Sequence, residues 1–293
     1  MSKDINELND FEVYRASENE SSTRGIFNRY CFFRETFDQL PKKELVDRGW
    51  IERPDDIFSM LPLLKDIQTG RNNALYRKAN TANEALCSAW LSVVTEIAKI
   101  KYITEKIPPF DGIDKNFLKE IAHLSLDETI PLKLPDILKE RGIILIYQKT
   151  LPAMKMDGVV FKLESGNPVI GLSFRFPRMD NFWFTLMHEL SHIVLHFDQL
   201  ERPIFDDLEE NNDDLIELQA NRLAKSSFVR NSDWRNCEPK YNKGDDVLIK
   251  FSESIGVHPA IIAGMLRRED NNYTMYSKIV NAIDVREMVF NEY

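Results

Sequence analysis

The chain is 293 residues long, 43% hydrophobic, and carries 47 acidic against 38 basic residues for a net charge of −9. That length supports one large domain or two modest ones with ample core material. The acidic balance argues against a general grip on nucleic acid, which needs a basic surface, and no run of about 18 apolar residues is present to span a membrane.

The start, Met1-Ser2-Lys3-Asp4, is polar and lacks the apolar stretch of a secretory signal. Cys31, Cys87 and Cys237 lie far apart with no CxxC pair, and read as reduced thiols of a cytoplasmic protein. Residues 1–36 are polar and predict a weakly ordered arm. From Pro41 to Thr104 the pattern is helical. It is clearest over Asn73–Tyr102, where Leu75, Ala82, Leu86, Trp90, Val93, Val94 and Ile97 recur at three- and four-residue spacings.

Pro108-Pro109 and Asp111-Gly112 then mark a break. It divides the chain into a helical recognition or regulatory region, 1–110, and a second domain, 111–293. Helices are expected near Lys115–Leu124 and Pro135–Arg141, the latter stopped by Gly142. Ile143–Tyr147 reads as a buried strand, and Val159–Leu163 with Val169–Phe174 reads as a hairpin across Glu164-Ser165-Gly166-Asn167. The second hairpin strand is expected to align an extended peptide by strand addition at an exposed edge. A long helix then begins after Asp180 as its N-cap. Helices mixed with a small sheet make the fold class α+β.

Of five histidines (His123, His188, His192, His196, His258), three fall within nine residues. His188 and His192 are four apart, so a helix projects them from one face about 6 Å apart along the axis. Two imidazole nitrogens can then meet one Zn²⁺ at roughly 2.0–2.1 Å. Glu189 is rotated by about 100° from His188. It can take a proton from the attacking water and pass it to the leaving amine. The flanks Phe182–Met187 and Ile193–Leu195 are apolar, and burying such polar groups is costly without partners.

A third ligand is needed. His196 lies about 12 Å from His188 along a straight axis, too far to share a metal with it. Asp198 would require the chain to turn back, and Leu195 stands where a glycine would allow that. Glu217, on a following helix over Leu215–Ala224, completes a His₂Glu site. Asn221, one turn on, shares its face and is placed to hold the distal N–H of a ligand histidine. The acid-rich connection Asp198–Asp214 reads as a solvated loop or as a lid that selects basic substrates.

HELSHIVLH at His188–His196, with Glu217-x-x-Ala220-Asn221-x-Leu223-Ala224, resembles the ImmA/IrrE family of metallo-endopeptidases. Ile255–Gly264 is similar to that family's C-terminal helical segment. Met156–Phe161 and Pro168–Trp183 resemble a subset fused to HigA-type antitoxins and repressor-like regulators. The resemblance spans roughly residues 110–267. It implies a zincin-like fold with a small sheet over the active-site helix. It also implies zinc held by His188, His192 and Glu217, with Glu189 as general base. The implied partner is a protein substrate, a DNA-binding repressor or antitoxin-like regulator, in a stress, mobile-element or anti-phage response.

Two features depart from the family pattern. Residues 1–40 hold no convincing helix-turn-helix, which assigns any DNA reading to a partner. Phe228-Val229-Arg230 stands where the family often has a proline. Ser252, Gly256 and Ile262 have helix-turn-helix spacing with Arg267 and Arg268 nearby, but structural packing is the expected use. His258 reads either as a transition-state donor, if it folds back over the metal, or as a capped surface histidine. The alternative to hydrolysis is a catalytically quiet antitoxin or regulatory module that uses the fold as a scaffold.

Overall fold

The computed structural model describes residues 34, 37–56, 59, 63, 82–206 and 215–291. Nearly all of the expected arm, residues 73–81 and the acidic stretch 207–214 lie outside them. In chain order the principal described elements begin with α1 (Lys42–Asp47), α2 (Ala82–Thr104), α3 (Lys115–His123) and α4 (Ile130–Lys139). The strands β1 (Ile144–Tyr147), β2 (Gly158–Lys162) and β3 (Pro168–Leu172) precede α5 (Met179–His196), and β4 (Ile204–Asp206) follows it. Then come α6 (Leu215–Phe228), α7 (Asn231–Arg235), α8 (Asp245–Ile255), α9 (Pro259–Glu269), α10 (Ser277–Val280) and α11 (Val285–Asn291).

The strands are apolar at nearly every position because both of their faces are buried. Alternation sends Leu145, Val160, Ile170 and Leu172 into one core with α5. Ile144, Ile146, Val159, Phe161 and Val169 enter a second core with α2. The α+β expectation therefore holds, with the small sheet lying between two helical layers. All four strands lie after residue 110, and α2, which precedes it, packs on one face of their sheet.

The sheet order is β1-β3-β2-β4, with β1 parallel to β3 and the other pairs antiparallel. The hairpin forms as expected, pairing Val160 with Ile170. β3, however, is interior, paired on both sides, so it cannot take up a substrate strand. β1 occupies the other side of β3, a parallel pairing of Ile144 with Val169 that local alternation does not encode. β4 is a further correction: part of the acidic connection pairs with β2, Phe205 opposite Val159.

Several local features explain the remaining boundaries. Asp114 caps α3, accepting from Asn116 N and Phe117 N. α4 begins earlier than expected, at Ile130, with Pro131 in its first turn, where a missing N–H is harmless, and with Pro135 inside. Gly142 ends it at φ +75, and a Cβ there would lie 2.8 Å from Phe110 backbone atoms. Trp90 of α2 is fully buried over Gly171, where a Cβ would meet its ring at 2.9 Å. Trp90 Nε1 donates to Gln148 O at 3.0 Å, and Arg48 donates to Lys149 O and Thr150 O, both at 2.7 Å.

α5 starts one residue before Asp180. Arg178 holds the cap position, and Asp180 sits in the first turn, bonded by Arg178 Nε at 2.9 Å. A carboxylate there favours the positive helix end without acting as the cap. The loop before α5 is fastened from far along the chain. Val285 N donates to Pro177 O at 2.8 Å, Arg286 Nε to Phe174 O at 2.8 Å, and Arg286 Nη2 to Arg175 O. No single described helix is long and apolar enough to cross a membrane, and the α8–α9 pair bends by 115°.

Candidate metal centre

α5 is buried on almost every side, including His188, Glu189, Ser191, His192 and His196. Its histidines, spaced by four, run along the edge that faces α6. Ala220, Leu223 and Ala224 are buried in the α6 packing surface. Their small and mid-sized side chains let the helices lie close enough for Glu217 to reach across. Glu217 is 8% exposed, a buried carboxylate that needs partners.

It has them. His188 Nε2 lies 2.9 Å from His192 Nε2. Glu217 Oε2 is 3.1 Å from His188 Nε2, and Oε1 is 3.4 Å from His192 Nε2. Donors at 2.0–2.1 Å around a tetrahedral ion stand about 3.3 Å apart, so these separations fit one cation. Among the described residues, His188, His192 and Glu217 are the group of His, Cys and acidic side chains able to hold a metal ion. All three of these residues were expected to meet, and the fold brings them together.

The charge states suit that use. Burial pushes the Glu217 carboxyl up, but hydrogen bonds from His188 and His192 outweigh it and hold the pKa at about 2. Burial drives His192 toward its neutral form, against the pull of Glu217. A cation entering here would displace the Nε2 protons that make those bonds, leaving the carboxylate and the neutral imidazoles to present lone pairs to it.

The surrounding contacts orient the donors. Asn221 Oδ1 lies 3.1 Å from His188 Nδ1, the contact expected of it. His196 is no part of the trio; its Nδ1 is 3.1 Å from His192 Nδ1 and its Nε2 is 2.9 Å from Gln219 Oε1. Asp198 is exposed, in a short turn beyond the helix. Ser191 donates back to Met187 O at 2.7 Å, which occupies its hydroxyl within the helix.

Glu189 is fully buried and faces the opening of β2. A Cβ on Gly158 would stand 2.3 Å from Glu189 Oε1 and 2.7 Å from Thr185 Cγ2. Gly158 and Thr185 were not singled out from sequence, nor was Gln219. A glycine opening a strand does signal close approach of another group, so Gly158 was the one of the three with a readable sign.

His258 caps α9, accepting from Ala260 N at 3.1 Å, and its Nε2 is 3.6 Å from Glu128 Oε1. Its ring is thus engaged in holding a helix start. The turn at Gly256, φ +76, does join α8 to α9, but Ala260 through Arg267 are all buried. Those residues pack α9 into the core. Gly264 allows α9 to cross α5 closely, where a Cβ would be 2.6 Å from Asp180 Oδ2.

Residues 138–266, somewhat less than half of the chain, match the model of the IrrE N-terminal-like domain of peptidase family M78. The match takes in the sheet, α5 and α6, and ends within α9. It supports the ImmA/IrrE resemblance and a metallopeptidase-type function. No curated protein matches the chain.

Proposed function

We propose that this chain is a zinc-dependent endopeptidase acting on a specific cytoplasmic protein, a DNA-binding repressor or antitoxin-like regulator. The observation that carries the reading is the convergence of His188, His192 and Glu217 from two packed helices, with Glu189 one residue from the first ligand. The two-imidazole, one-carboxylate set is that of catalytic zinc sites, which keep a further position open. When bound, zinc supplies Lewis acidity to the scissile carbonyl and to water.

The chain's own residues do the rest. His188 and His192 present Nε2, and Glu217 neutralises part of the charge. Asn221 accepts the Nδ1 proton of His188, which fixes that ring's tautomer. Glu189, pressed against Gly158, accepts the proton of the attacking water and delivers it to the leaving amine. The choice of a regulatory protein as substrate rests on the family resemblance.

The test is incubation of the purified protein with candidate regulators encoded beside it, with and without a chelator, next to Glu189→Gln. Cleavage that disappears with the chelator and falls by about 10²–10⁴-fold in the variant is expected. A Glu189→Gln protein that binds zinc and keeps its full biological effect would make the chain a binding module instead.

A further inference from the structure

We propose that His196 is a positioning residue for the metal centre: it accepts the Nδ1 proton of His192 and thereby commits His192 Nε2 to the cation. This rests on the zinc reading above.

His192 Nε2 is the nitrogen that lies 2.9 Å from His188 Nε2 and 3.4 Å from Glu217 Oε1. To hold a cation there it must be bare. A neutral imidazole carries one ring proton, so that proton must sit on Nδ1. His192 Nδ1 faces His196 Nδ1 at 3.1 Å. Of two ring nitrogens at that distance, one donates and the other accepts.

The rest of the chain of contacts agrees with one polarity. With His196 Nδ1 accepting, the His196 proton sits on Nε2, which is 2.9 Å from the acceptor Gln219 Oε1. Donation then runs from His192 through His196 to Gln219. The reverse polarity would put the His192 proton on Nε2, aimed at His188 Nε2, and would remove His192 as a ligand. His192 is fully buried and His196 only 4% exposed. Without His196 the Nδ1–H would lose its acceptor in a place with little access to water.

The two ligand histidines are therefore held in different ways. His188 uses an acceptor from the neighbouring helix, Asn221, and His192 uses one from its own helix, a turn further along. The pattern HELSHIVLH contains both the ligand and its support.

Zinc affinity by chelator competition, together with the visible spectrum of the cobalt-substituted protein, tests this. His196→Leu keeps the bulk and removes the acceptor; His196→Ala also removes the acceptor, should leucine not be accommodated. His196→Asn places an amide oxygen near the lost Nδ1. The expected result is zinc binding weakened by about 10–100-fold in the leucine or alanine variant, with a shifted cobalt band and most of the loss recovered in the asparagine variant. Wild-type affinity in both the leucine and alanine variants would overturn the proposal, as would an asparagine variant as weak as they are. A wild-type protein that takes up no zinc, or a His192→Ala protein that binds it as wild type does, overturns the zinc reading and the proposal with it.

Discussion

The two helical layers on either side of the sheet bury different chemistry. Against α2 the sheet meets Leu86, Trp90, Val94 and Ala98, and among the described residues the buried polar side chains of that helix are two serines, Ser88 and Ser92. Against α5 it meets a helix with Asp180, His188, Glu189, His192 and His196 buried, joined by Glu217 from α6. Titratable groups are costly to bury unless partnered. Among its described residues α2 buries no acid or histidine, only the thiol of Cys87. The α5 layer carries that cost, the arrangement a stability–activity trade-off would produce.

The comparison can be broken most directly from the α5 side. Glu189→Gln should lower hydrolysis by about 10²–10⁴-fold. The same variant should leave the thermal midpoint of the metal-free protein unchanged or raised, because a neutral amide is easier to bury than a carboxylate. Differential scanning calorimetry beside the activity assay checks both halves. A variant that loses activity only by unfolding would erase the contrast between layers.

Trp90→Ala should give the opposite signature. Emptying the fully buried site over Gly171 is expected to cost about 3–5 kcal/mol in urea unfolding, with zinc content per folded chain unchanged. Gly158→Ala probes the seam between layers. Its methyl would push on the Glu189 carboxylate, so about 1–3 kcal/mol of overpacking should accompany a fall in turnover larger than the stability loss explains. Equal effects on both would mean that Gly158 is a packing residue alone.

The smallest effect is expected at Cys237. Burial pushes its thiol up to about 11, so a thiol reagent at pH 8 should label it only on unfolding. Rapid labelling of native protein at this position would show the core around α6 and α9 to be more open than its contacts indicate.

The ligand trio was legible because each part depends on local spacing: His188 and His192 four apart on one helix, Glu217 and Asn221 four apart on another. The hairpin and α+β class followed from alternation and turn residues in the same way. What escaped depends on contacts between distant segments. β3 reads the same whether it lies at an edge or between partners, and its interior place is set by β1 from across the sequence. β4 is three residues long within an acid-rich connection, so composition hid it. His196 was set aside as a ligand on reach and lies outside the trio, yet its contact with Gln219 could not be seen until two helices were packed.

The fastening of the loop before α5 by residues 285 and 286 bears on the order of events during synthesis. The Arg286 contact to Arg175 spans 111 residues. A growing chain therefore exposes His188, His192 and Glu217 well before it can tie down the segment from which α5 springs. The matched stretch ends at residue 266, so a chain halted there would hold all the chemistry and none of this fastening. The bonds from Val285 and Arg286 are available to the loop before α5 only once those residues have been added.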